Sequence, residues 1–277
     1  MFVEKETTLV YLSPHLDDAV FSCGGLLWEQ IQKGYKVEVW TFSTMEPEPY
    51  LLSPYAKMLH SRWKEVEYPY HVRKEEDKNA LTLLGCNWEH LNFPDCIYRF
   101  DNVTGQPLIQ KDDDLFPENY QPDWSFIGDM TSTLKGALFL RDDAAFQTGA
   151  SSNKFQLIAP LGVGGHIDHR NTLLAAEQLE LPLFYYAEYP YAAKDPIKVS
   201  AMLPPKSRAF PFEISSAGLA AWQEAVGCYG SQISSFWSSM DEMKSALADY
   251  ASLPIARTLW KSHFTFGRAH GETRFIN

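Results

Sequence analysis

The chain has 277 residues, 45% of them hydrophobic, and a formal net charge of -11 from 35 acidic and 24 basic side chains. That length suits one large α/β domain or two small ones, and with no Gly- or Ser-rich linker one domain over residues 1–277 is the simpler reading; the apolar share excludes wholesale disorder, and the acidic balance argues against nucleic acid or an anionic lipid surface as partner. Four scattered cysteines without a C-x-x-C pair read as reduced thiols, and the lack of a leader or of an apolar run near the roughly 20 residues of a bilayer span leads to the expectation of a cytoplasmic protein without a membrane segment.

Thr8 to Leu12 is a short apolar run that reads as a buried strand, and Ala19 to Trp28 reads as a helix. Gly34 is a plausible helix stop, and Val37 to Ser43 is the next strand, so the first forty residues form a βαβ unit with a parallel, right-handed pair. The prolines of Met45 to Tyr50 predict a non-helical loop, followed by a weakly signalled helix from Pro54 to Trp63. Arg73 to Leu84 is helical, with Gly85 as its stop, and Trp88 to Phe93 is a third strand ending at Pro94-Asp95. Arg99 to Pro117, with the acid run Asp112-Asp113-Asp114, reads as a solvated surface excursion. A helix over 123–140, a buried strand over Phe155 to Leu161, a helix over Asn171 to Glu180 and a strand over Leu183 to Ala187 complete the middle of the chain. Beyond them come a strand over Arg208 to Ile214 and helices over Ala217 to Cys228 and Trp237 to Tyr250.

The chemistry concentrates at two strand-to-helix junctions. The first, Pro14-His15-Leu16-Asp17-Asp18, carries one imidazole and two carboxylates in four positions. A helix cap would use one Asp and leave the other and the His unexplained. A phosphate-binding turn is excluded by the adjacent negative charges and the absence of glycine. A metal site explains more, because His15 and Asp18 at i and i+3 can converge on one point, with a cap role for one Asp still open. The second junction, His166-Ile167-Asp168-His169, follows the strand ending at Leu161 and a glycine-rich turn that serves either close substrate approach or the turn itself. Parallel strands of one open sheet would bring both junctions to its carboxyl edge. Three protein ligands leave a coordination position open, as in catalytic zinc; nitrogen and carboxylate donors suit zinc, with iron or another late divalent ion as alternatives.

Ser13-Pro14-His15-Leu16-Asp17-Asp18 followed by Gly24-Gly25, together with His166-Ile167-Asp168-His169, resembles the paired signatures of the PIG-L/LmbE-like N-acetylglucosaminyl deacetylases. Arg73 to Glu76, Phe93-Pro94-Asp95, Tyr189-Pro190-Tyr191 and Tyr229 to Gln232 follow in the family's order. The resemblance implies a Rossmann-like three-layer sandwich with a mostly parallel sheet and one Zn²⁺ per chain at its carboxyl edge. It implies removal of an acyl group, usually acetyl, from an amino sugar or glycoconjugate. By similarity His15, Asp18 and His169 hold the metal, and Asp17 is the general base. His166, as an imidazolium, stabilises the oxyanion or protonates the leaving amine, and Asp168 orients a neighbouring imidazole. Arg73 and Asp95 would bind the sugar; a solvated helix-start Arg and a turn Asp are the alternatives. Some relatives place a tyrosine two residues before the first His of the second signature, where this chain has Gly164. A non-catalytic sugar- or metabolite-binding protein is the alternative function; a Rossmann nucleotide enzyme is excluded because the first turn is not G-x-G-x-x-G.

Overall fold

The computed structural model describes residues 3–64, 68–141 and 154–262. Its strands are β1 (Thr8–Ser13), β2 (Lys36–Ser43), β3 (Asn87–Phe93), β4 (Phe155–Pro160), β5 (Leu183–Tyr186), β6 (Arg208–Pro211) and β7 (Thr258–Lys261). They form one sheet in the order β3-β2-β1-β4-β5-β7-β6. The first five are parallel, and β7 and β6 add an antiparallel edge. All six residues of β1 are buried, as a strand covered on both faces requires. Because the chain leaves β1 towards β2 on one side and β4 lies on the other, the order of strands reverses between β1 and β4. Right-handed crossovers then place the helices on opposite faces and open a crevice at the carboxyl ends of these two strands.

The helices are α1 (Asp18–Gln32), α2 (Pro54–Arg62), α3 (Pro69–Leu84), α4 (Trp124–Phe139), α5 (Ile167–Glu177), α6 (Tyr191–Lys194), α7 (Pro196–Met202), α8 (Ser216–Gly227), α9 (Gly230–Phe236) and α10 (Met240–Ser252). α8 packs on α1 and α3, whereas α4 packs on α5. The close approach of α8 explains the glycine pair in α1. A Cβ on Gly24 would lie 2.1 Å from Cδ1 of the buried Trp222, whose indole donates to the Val20 carbonyl at 2.7 Å. The weak helix propensity of two glycines is offset by this wedge.

Several boundaries differ from the sequence reading. α3 begins at Pro69, with proline in the first turn, so Arg73 lies inside the helix and is 4% exposed; it is not a solvated helix start. The proline loop holds a 3₁₀ turn, Pro49–Leu51. The helix expected over 237–250 starts later, at Met240, where Ser239 caps it by accepting from the Glu242 amide, and a separate helix, Gly230–Phe236, ends just before the expected span. β6 is shorter than expected, and its partner β7 was not anticipated. The segment over 99–117 is no mere solvated excursion. Ile109 is buried, Tyr55 donates to Asp112 at 2.5 Å, and Leu16, Tyr70, Cys96, Ile97 and Ile109 share a second small core beneath it.

Candidate metal and catalytic site

Both signatures lie where the fold reverses, at the carboxyl ends of β1 and β4. Neither Asp of the first caps α1. The Asp17 side chain makes no cap bond, Ser13 Oγ accepts from the Ala19 amide at 3.1 Å, and Asp18 Oδ2 turns back to accept from the His15 amide at 2.9 Å. The two carboxylates are therefore directed elsewhere. Asp18 Oδ2 stands 2.8 Å from His15 Nδ1 and 3.2 Å from His169 Nε2. Both separations are close to the edge of about 3.3 Å in a tetrahedron with metal bonds of about 2.0–2.1 Å, so Asp18 is placed to share a divalent ion with either imidazole.

His169 Nδ1 lies 3.2 Å from Glu188 Oε1, leaving Nε2 towards Asp18. Glu188, wholly buried, also accepts from the amides of Leu161, Gly162 and Val163, and so ties the His169 ring to the end of β4. Such an outer partner fixes the orientation of a ligating imidazole. On the other side His15 Nε2 meets Asp168 Oδ2 at 3.2 Å and Asp95 Oδ2 at 3.7 Å. Asp168 is held in turn by the Cys96 amide at 2.9 Å and by the Arg99 guanidinium.

Charge follows this geometry. Burial pushes the two imidazoles down, but Asp18, Asp95 and Asp168 prevail at His15 and raise it well above the usual value, while Asp18 and Glu188 raise His169 to about 9. Burial also works against ionised Asp18 and Asp168, yet the imidazoles hold the first, and Arg99 and His15 the second, well below the carboxylate range. Burial pushes Asp17 up to about 6, against the Arg73 guanidinium 3.5 Å away. His166 goes the other way: burial, then the neighbouring His15 and His169, depress it to about 3.

That depression runs against the imidazolium expected at His166. His166 Nδ1 accepts from the Asp168 amide at 3.2 Å and caps α5, so the ring is neutral with its proton on Nε2. It can donate a hydrogen bond but brings no positive charge.

Arg73 and Asp95 both reach the cluster. The Arg73 guanidinium lies 4.9 Å from the Trp63 ring and 5.0 Å from the Tyr70 ring, while Tyr70 donates to Asp95 Oδ2 at 2.6 Å. Asp95 Oδ1 accepts from the Ile97 amide, so it is a turn residue as well as a neighbour of His15. Three contributors escaped the sequence reading: Glu188, Arg99 and Phe116, the last packed against Tyr191 of the Tyr189-Pro190-Tyr191 segment. Phe116 packs edge-on against His166, and Tyr191 against His169. The Tyr191 ring fills the space over Gly164, where a Cβ would lie 2.4 Å from its Cγ. An aromatic ring therefore stands beside the position at which some relatives carry their tyrosine, delivered from another segment. The supporting stretches also meet: Tyr229 donates to Asp77, and the Ser231 amide and hydroxyl donate to Glu76.

A solved teicoplanin deacetylase in its zinc-inhibited form is 24% identical, with a TM-score of 0.71 over 92% of this chain and 97% of that one. The antimicrobial reagent A40926 pseudoaglycone deacetylase is 24% identical with a TM-score of 0.60, covering 93% of this chain and 96% of its own. Both likenesses speak for the fold. In sequence, a 2'-N-acetylparomamine deacetylase of Niallia circulans is 27% identical over 208 residues, 68% of this chain and 69% of that protein. Residues 10–179, which include both clusters and well over half of the sequence, match the family model described as PIG-L, GlcNAc-PI de-N-acetylase, and the chain belongs to that family.

Proposed function

We propose that this protein is a zinc-dependent N-deacetylase that hydrolyses the acetamide of an N-acetylated amino sugar or glycoconjugate. The observation that carries the reading is the convergence of two buried signatures on Asp18, with Glu188 behind His169. The activities for which the PIG-L family and the Niallia circulans relative are named support the same reaction on an amino sugar.

His15, Asp18 and His169 would hold the metal, which when bound polarises the acyl oxygen and lowers the pKa of water towards about 7. Asp17, adjacent in sequence to Asp18 and raised by burial, takes a proton from the attacking water. As the water oxygen bonds to the acyl carbon, the Nε2 proton of neutral His166 donates to the developing oxyanion. The carbon–nitrogen bond then breaks, the proton held by Asp17 passes to the departing amine, and the second proton of the water leaves on acetic acid, which ionises to acetate. Asp168 steadies His15 and is itself held by Arg99. Arg73 and Asp95 face the same space and would contact sugar hydroxyls, while Phe116 and Tyr191 wall the side nearest His166 and His169.

The test is acetate release from a panel of N-acetylated sugars and glycoconjugates, with and without chelator. Release should be chelator-sensitive. Asp17→Asn should keep about one metal per chain yet lose about two to four orders of magnitude in kcat. Full activity in that variant would remove the proposed base, and stoichiometric sugar binding without turnover by the metal-replete protein would favour a binding function instead.

A further inference from the structure

Among the described residues, three sets of donor atoms come within 4.8 Å of one another: His15, His166 and His169; His15, Asp95 and Asp168; and Cys96, His166 and Asp168. The first two reuse His15, a ligand already assigned to the proposed catalytic ion. The third shares no residue with His15, Asp18 and His169.

We propose that Cys96, His166 and Asp168 form a second, inhibitory site for a thiophilic divalent cation such as Zn²⁺ or Cd²⁺. The site is built from two segments. His166 caps α5 and Asp168 lies in its first turn, while Cys96 opens the 3₁₀ turn Cys96–Tyr98 that follows β3. Cys96 is fully buried, and His166 and Asp168 nearly so. The Cys96 amide bonds Asp168 Oδ2 at 2.9 Å, which holds the two segments together. A thiolate and a carboxylate balance the two positive charges, and the imidazole completes three ligands of the kind zinc prefers. The Cys96 side chain takes no part in the proposed hydrolysis.

Filling this site carries identifiable costs. Asp168 Oδ2 must share itself among the ion, His15 and the Cys96 amide, Arg99 stands on the other oxygen, and His166 gives up either its cap bond or the proton on Nε2. The second ion therefore binds more weakly than the first. Once bound, it occupies the donor proposed for the oxyanion and the carboxylate that steadies His15, so the doubly loaded protein is inactive. This rests on His15, Asp18 and His169 taking the first ion.

Cobalt titration tests the site without reference to turnover. The first equivalent of Co²⁺ should give no thiolate-to-metal charge-transfer absorption, and the second should give one, absent from Cys96→Ser and Cys96→Ala. In the acetate assay, excess Zn²⁺ or Cd²⁺ should inhibit the parent while Mg²⁺ does not, and either Cys96 variant should need at least about tenfold more zinc for the same inhibition. A second equivalent without a thiolate band, or variants inhibited at the parent's zinc concentration, would overturn the site. A thiolate band at the first equivalent would overturn the order of filling. If no acetamide is hydrolysed, the proposed function fails and the cobalt band still decides the second site.

Discussion

The turns at the ends of β1 and β4 and the long connection from β3 to α4 reach the same cluster by different physics. The turns grow out of almost wholly buried strands and are held by backbone and near-neighbour bonds: Ser13 to Ala19, Asp18 to the His15 amide, Glu188 to three successive amides. The connection is held at isolated points by side chains, Tyr55 on Asp112, Arg99 on Asp168, Phe116 on His166 and Tyr120 on Asn171, with much of its remaining length exposed. The groups proposed to hold the ion and move the protons therefore sit where the backbone is most constrained. The groups that cover them sit where sequence and geometry have more freedom to change.

Substitutions on the two sides should separate accordingly. Glu188→Ala should have the largest effect, removing a buried acceptor from three amides and from His169. Its expected cost is about 3–5 kcal/mol by denaturant unfolding, with metal affinity lowered about 10- to 100-fold by equilibrium dialysis. Gly24→Val also strikes the scaffold, since its Cβ would collide with Trp222; a loss of about 2–3 kcal/mol should appear as a lower urea midpoint. Arg99→Met tests the connection. It should lower kcat by about tenfold through Asp168 and lower Tm by less than Glu188→Ala does, because Asp168 keeps the Cys96 amide and His15, and Arg99→Lys should recover part of both. Phe116→Ala should do least: at 37% exposure its loss should cost under about 1 kcal/mol and be felt in KM more than in kcat. An Arg99 variant that unfolds like the Glu188 variant would erase the distinction between the two regions.

The same contrast explains what could be read from the residues alone. His15 and Asp18 are three positions apart, and His166 to His169 form one string, so local spacing and two apolar strands sufficed to place them at one sheet edge. Arg99 meets Asp168 across 69 positions, and no local pattern announces such a pair. Glu188 did leave a signal, a lone carboxylate just after the apolar run Leu183 to Ala187, where a buried acid needs a partner. Ser239 with Glu242 three residues on was likewise a readable helix start, missed because the aromatic run before it continues the apolar pattern. β7 is four residues long and pairs antiparallel with β5 and β6, too short a stretch for its periodicity to speak. The charge of His166 was not legible locally, because it depends on the amide it caps and on the two rings beside it.

Trp222, wedged against Gly24 and bonded to the Val20 carbonyl, also bears on how the molecule is assembled. Every residue proposed to hold the ion or do the chemistry lies between positions 15 and 169, and so is synthesised before the tryptophan that braces the helix carrying two of the carboxylates. A nascent chain that has just released residue 170 from the ribosome has all the ligands and none of that bracing, so the C-terminal third completes a site to which, Glu188 and Tyr191 aside, it adds no group.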